Sequence, residues 1–160
     1  MARIFALLVF PFVIQAAFAD DGARLIGVWK LTAFDVEFQK SGKREAAFGG
    51  RKSSGYLIFT PERRMMALVT AEGRKPGGKP DERAALHASM ISYTGIYRIE
   101  GDRFITKVDH SWNESWNGTD QERFFKLVGD RLDIVSAWGP SATLPEGHLL
   151  RGILSWERVK

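Results

Sequence analysis

The 160-residue chain contains no cysteine, which excludes disulfides, Cys-ligated metal centres and a lipid-modified cysteine. It has only three histidines, His87, His110 and His148, with no short ligand spacing between them. No metal site or cofactor is therefore expected; one histidine is the bare minimum for haem ligation and says little alone. Charge of one sign is lacking too. The formal charge is +4, with acids and bases interspersed. The only basic concentrations, "KSGKR" (40–44) and "GRKPGGKP" (73–80), are glycine-rich and read as solvated loops. No Lys/Arg stripe is interleaved with stacking aromatics, so nucleic acid is not an expected partner. There is no internal repeat and no low-complexity tract. No apolar run reaches the roughly 20 residues of a membrane-spanning helix.

The longest apolar run has another meaning. Arg3 is a minimal positive n-region, Ile4 to Ile14 an apolar stretch of eleven residues, and Ala17-Phe18-Ala19 a small-x-small peptidase site. Cleavage is expected after Ala19. Residues 1–19 are then a signal peptide, and 20–160 form one domain of 160 − 19 = 141 residues. Such a protein is exported, to the periplasm or the exterior, with no stable membrane insertion after cleavage.

The rest reads as strands punctuated by turns. Short apolar and β-branched runs occupy 27–38, 55–60, 64–71, 94–112, 120–138 and 149–159. Gly101-Asp102 and Gly129-Asp130 divide two of these into hairpins, giving eight strands. "PDERAALHASMI" (80–91) has a proline start, early acids and an Ala/Leu/Met body, and predicts one helix. Eight sequentially paired strands hide their edges best by closing. The expectation is an all-β, eight-stranded up-and-down antiparallel barrel, with one short helix covering an end. Such a barrel has room for one small ligand.

Alternation places Phe104, Thr106, Val108, His110 and Trp112 on one inward face. With a turn at Glu114 to Asn117, Trp112 faces Thr119, His110 faces Gln121, and Val108 faces Arg123. Tyr97, His110, Gln121 and Arg123 then form either an internal polar network or an anchor for a ligand's polar group. Arg123 suits an anion, because its planar fork bonds a carboxylate bidentately. Phe104, Val108, Trp112, Phe125 and Trp138 would supply the apolar wall. Trp29 and Trp156, on the first and last strands, are expected to pack where the barrel closes. Met65, Met66 and Met90 are core or pocket lining. Asn113-Glu114-Ser115 and Asn117-Gly118-Thr119 fit the glycosylation sequon but read as turn chemistry.

One block carries a resemblance. Tyr93-Thr94-Gly95-Ile96-Tyr97, His110, Trp116-Asn117-Gly118 and Arg123 follow in the order of an aromatic-x-Gly-x-Tyr strand, a late histidine, a Trp-x-Gly turn and a strand arginine. This is similar to the lipocalin-like domain family. "LIGVWKL" (25–31) and "LSWERV" (154–159) resemble its ends. More loosely, Gly27-Val28-Trp29, Thr119-Asp120 and Arg158 are similar to true lipocalins, though Gln121 stands where an aromatic is expected. The resemblance implies a calycin-type barrel binding small apolar molecules.

Three functions follow as expectations. The first is an exported barrel, monomeric or weakly dimeric, binding a small hydrophobic molecule with one polar or anionic group. The second is an isomerase or cyclase using His110 as acid/base, with Tyr97 and Arg123 as oxyanion donors. The sequence holds no nucleophile elbow, and no serine is paired with a base by motif, so no residue is assigned as catalytic on the first reading. The third is a partner-binding module with a filled barrel.

Overall fold

A computed structural model describes residues 22–140 and 149–160; the expected signal peptide and His148 lie outside them. A single helical turn over 22–25 leads into β1 (Gly27–Phe38). The short β2 (Arg44–Ala46) and an irregular turn at Ala47–Gly50 precede β3 (Ser53–Phe59) and β4 (Arg64–Ala71). Helix α1 (Pro80–Ala88) leads to β5 (Met90–Glu100), β6 (Arg103–Ser111), a 3-10 turn at Glu114–Trp116 and β7 (Asp120–Val128). Then come β8 (Arg131–Ser136), the two-residue β9 (Gly139–Pro140) and β10 (Leu149–Arg158).

All pairing is antiparallel. The ring runs β1-β3-β4-β5-β6-β7-β8-β10 and closes through β1 against β10, while β2 and β9 extend its rim. The described residues thus form the closed eight-stranded barrel that the alternation predicts. The two hairpin turns fall at Gly101 and Gly129, whose φ of 62° and 58° lies in the left-handed region that glycine adopts freely.

The helix stops earlier than its sequence pattern suggests. Met90 and Ile91 pair instead with Thr70 and Val69 of β4. A ladder of strand hydrogen bonds outweighs the propensity of one more helical turn. Pro80 opens the helix, and Glu82 bonds the backbone N–H groups of Gly78 and Lys79. Among its residues only Leu86 is even half-buried, and none lines the cavity described below.

The two ends of the barrel differ because their connections differ. Short links at 60–63, 101–102 and 129–130 close one end. There Leu25, Trp29, Phe59, Met65, Phe104 and Leu132 are essentially sealed from solvent. Each such side chain contributes about 1.5–3 kcal/mol on burial. Phe59 anchors the packing, edge-on to Tyr97 at 4.9 Å and to Phe104 at 5.2 Å. The Arg158 guanidinium seals the seam, 4.1 Å from the Trp29 ring centroid and donating to the Ile26 and Arg24 carbonyls. The longer links lie at the other end, where the described residues leave the barrel open.

Trp29 and Trp156 both stand on the closing strand pair, opposite Arg158 and Leu31 respectively, and both belong to the core. Met65 is core, whereas Met66 is exposed on the outer wall, so the methionines form no pocket.

Candidate functional site

The open half of the barrel encloses a cavity of about 660 Å³, a size suited to a small organic ligand. Its floor is Leu57, Phe104, Ile134 and Trp156. Phe34, Phe48, Tyr93, Trp116 and Trp138 form an aromatic upper wall. Phe34 and Phe48 meet edge-on at 5.6 Å. Trp138 is held at the rim by Arg151, 4.5 Å from its ring centroid, and Arg151 is paired in turn with Glu37 at 2.9 Å.

The polar groups come chiefly from β7. Alternation turns Gln121 and Arg123 inward and Asp120 and Glu122 outward. On the outer face Asp120 pairs with Arg98 at 3.1 Å, and Glu122 with Arg103. The acids next to Arg123 in sequence are thereby committed elsewhere. Among the described residues, no carboxylate forms an ion pair with Arg123. Its guanidinium donates to the Glu122 carbonyl at 2.7 Å and to Gln121 Oε1 at 3.3 Å. It lies beside a pair of edge-on aromatic rings, 5.7 Å from the Tyr93 centroid and 5.6 Å from that of Trp116, with the two centroids 5.3 Å apart, so both rings stand to one side of it. Gln121 is oriented by donating Nε2–H to Thr119 Oγ1 at 3.0 Å. The site is a largely apolar pocket with one half-buried cation beside two aromatic rings; Asp120, Gln121, Glu122 and Ser136 also border it, the two acids with their carboxylates paired to Arg98 and Arg103.

Four of the expected site residues line this cavity: Phe104, Gln121, Arg123 and Trp138. Five do not. Tyr97, Val108 and Phe125 lie on the barrel's inner side, in the core cluster or packed against it, and do not border the cavity. Tyr97 is 5% exposed, and its hydroxyl reaches only the Thr60 carbonyl, at 3.4 Å. Burial pushes its phenol above the usual range, against an opposing effect of nearby Arg63. It is not an oxyanion donor to the cavity.

His110 is corrected most. A β-bulge between β5 and β6 pairs Gly95 with Val108 and Thr94 with His110, leaving Asp109 as the extra residue. One added residue reverses every later side chain. His110 therefore points to solvent, its side chain 85% exposed, beside Asp109 at 3.3 Å. Burial raises the Asp109 carboxyl, but hydrogen bonds from Arg64 and His110 outweigh that and hold it below the ordinary carboxylate range. Trp112 also leaves the cavity, packing edge-on to Trp116 at 4.8 Å.

The expected pairing of β6 with β7 shifts as well. Arg123 faces Phe104 and Gln121 faces Thr106, rather than Val108 and His110. β6 leaves β7 after Lys107, and residues 112–119 fold into a longer corner. The Gly118 and Val108 backbones close its base, and the Asn113 side chain accepts from the Ser115 N–H. This corner sets Trp116 over the cavity. Trp116 stands near a strand end, where the sequence suggests a rim or cavity aromatic, and it does line the cavity; Tyr93 is a lining residue that sequence reasoning did not single out, although it stood in the quoted family motif. Among the described residues no histidine lines the cavity.

No curated protein matches the chain. Among solved structures it is similar to a crystal structure of a mutant of the fluorescent protein UnaG, at 8% sequence identity. That match covers 87% of this chain and 99% of the other, with a TM-score of 0.37. The family model described as "lipocalin-like domain" matches residues 26–159, nearly the whole of the described barrel. By that match, the chain belongs to the lipocalin-like domain family.

Proposed function

We propose that this protein binds a small hydrophobic molecule bearing one anionic group, held in the open half of the barrel with its head at Arg123. The observation that carries this reading is a half-buried guanidinium at a largely apolar cavity, flanked on one side by two aromatic rings and without a carboxylate partner among the described residues. A cation placed so is costly unless something completes its hydrogen bonds, and a carboxylate does so bidentately. Gln121, beside it, offers a further polar contact. The 660 Å³ volume argues against a barrel filled by its own side chains. The outward His110 leaves the isomerase reading without its acid/base.

The protein acts outside the cytoplasm on this reading, and the support is the leader-like pattern of residues 1–19. It acts as a monomer or weak dimer, since one barrel supplies a complete pocket.

The test is native mass spectrometry of the protein expressed with its own leader and purified without detergent, beside a denatured control. Excess mass lost on denaturation, with the chain beginning at Asp20, is the expected result. A bare chain that also takes up no tetradecanoic acid overturns the binding reading. A chain retaining residues 1–19 overturns the export reading.

A further inference from the structure

We infer that the ligand carries a second polar group, a hydrogen-bond acceptor at its buried end, received by the indole N–H of Trp156. The inference rests on the proposed function and deepens it, from a head group to a whole molecule. The ligand class is an amphipathic acid with a carbonyl, ester or ether oxygen remote from its anionic head.

Trp156 is 2% exposed and forms part of the cavity floor. Its Nε1 is buried without any hydrogen-bond partner. Buried indole N–H groups ordinarily find an acceptor. Trp29, its counterpart on the adjoining strand, does so, donating to the Leu25 carbonyl at 2.8 Å. Trp156 is flanked by Leu31 and Leu132, its register neighbours, and shares the floor with Leu57, Phe104 and Ile134. None of these side chains offers an acceptor. Four other described residues hold a buried unpartnered polar atom: Ser53, Thr60, Thr106 and Asn117. None of the four lines the cavity. The Trp156 N–H is thus an unpaired donor on a residue of the pocket floor; its nitrogen is sealed even from water, so a ligand oxygen reaches it as the floor side chains shift on binding.

The two polar points are separated along the barrel. Arg123 pairs with Ser136 on β8, and Trp156 pairs with Leu132 on the same strand, 136 − 132 = 4 residues away. At roughly 3.3 Å per residue that is about 13 Å of strand. The guanidinium reaches toward Tyr93 and Trp116 in the open half, whereas Trp156 lies on the floor. A plain hydrocarbon tail would cover the indole and leave its N–H unpaired. An oxygen near the end of the tail would pair it.

The experiment compares two acids of equal chain length by calorimetric titration: tetradecanoic acid, and the monomethyl ester of dodecanedioic acid, which places an ester carbonyl near its far end. The expected result is that the wild type prefers the ester acid about three- to ten-fold, the size of one net hydrogen bond, and that Trp156→Phe abolishes the preference. The Trp156 indole resonance in a nitrogen-proton correlation spectrum of the wild type should move with the ester acid and not with tetradecanoate. That readout stands even if Trp156→Phe does not fold. Tetradecanoate binding with no preference for the ester and no movement of the resonance overturns this inference alone. Failure of both acids to bind overturns the proposed function and this inference with it.

Discussion

Replacing Arg123 with methionine separates the energetics of folding from those of binding. In the free protein the guanidinium makes one good hydrogen bond, to the Glu122 carbonyl at 2.7 Å, and one long one, to Gln121 at 3.3 Å. Its two aromatic contacts, at 5.7 and 5.6 Å, contribute about 0.5–1 kcal/mol each. Against these stands the cost of withdrawing a charge partly from water with no carboxylate beside it. The opposing contributions are similar in size, so Arg123→Met should change the stability of the free protein by less than about 1 kcal/mol. A bound carboxylate adds charge-assisted bonds worth about 1.5–3 kcal/mol, so affinity for an anionic ligand should fall roughly 10- to 150-fold. Methionine keeps the length and apolar stem of the side chain, and the pocket keeps its shape.

The assay is a calorimetric titration with tetradecanoic acid, run beside ligand-free thermal melts of both proteins. The charge is checked by pH. As pH falls through the carboxylic acid range, roughly 4–5, the ligand is neutralised and wild-type affinity should approach that of the variant. Equal affinities for the two proteins at neutral pH, with both folded, would refute the assignment of Arg123.

Gly95→Ala should destabilise by about 3 kcal/mol in a denaturant titration, because its Cβ would lie 2.1 Å from the Lys107 carbonyl oxygen, and backbone there cannot yield cheaply. His110→Ala should change stability by less than about 0.5 kcal/mol and leave ligand affinity unaltered; a tenfold loss of affinity would put the imidazole in the pocket. Trp116→Leu removes one of the two rings beside the guanidinium and an edge-on contact with Tyr93 at 5.3 Å. It should weaken tetradecanoate binding by about three- to ten-fold, and unchanged affinity would show that the ring plays no part. Asp109 has a folded-state pKa below its ordinary value, so its contribution to stability is present above that value and is lost as pH falls through the folded one. Asp109→Asn should therefore flatten the acid limb of the stability–pH curve, and an unaltered limb would assign that limb to other carboxylates.

Local chemistry made much of the barrel legible. Period-2 alternation and the Gly-Asp turns at 101–102 and 129–130 need only neighbours in sequence, and they placed the hairpins and the inward faces of Phe104, Gln121 and Arg123. What alternation gives is a face, not a height along the barrel. Height depends on the register of strands far apart in sequence. Tyr97, Val108 and Phe125 were therefore placed on the right side of the wall but away from the cavity. The bulge at Asp109 has no local mark either. Its outward turn is held by Arg64, 2.7 Å away in space on β4, and this distant pairing decides where His110 points.

The same distant pairings explain how the pocket keeps its cation usable. A guanidinium bonds a carboxylate with the N–H groups at its edge, while aromatic rings cover its faces. Neighbouring aromatics and a bound acid therefore do not compete, whereas a neighbouring carboxylate would occupy that edge and neutralise it. Alternation along β7 sends Asp120 and Glu122 to outer-face arginines, which removes the nearest competitors. The long corner after Lys107 then brings the Trp116 ring beside Arg123, next to that of Tyr93. Among the described residues, two of its five N–H donors are used, one of them in a long bond. A tight turn at 114–117 would have paired Val108 with Arg123 and carried Trp116 away from it. The departure from the simplest hairpin thus sets the aromatic pair beside Arg123 and leaves its remaining N–H groups to a ligand.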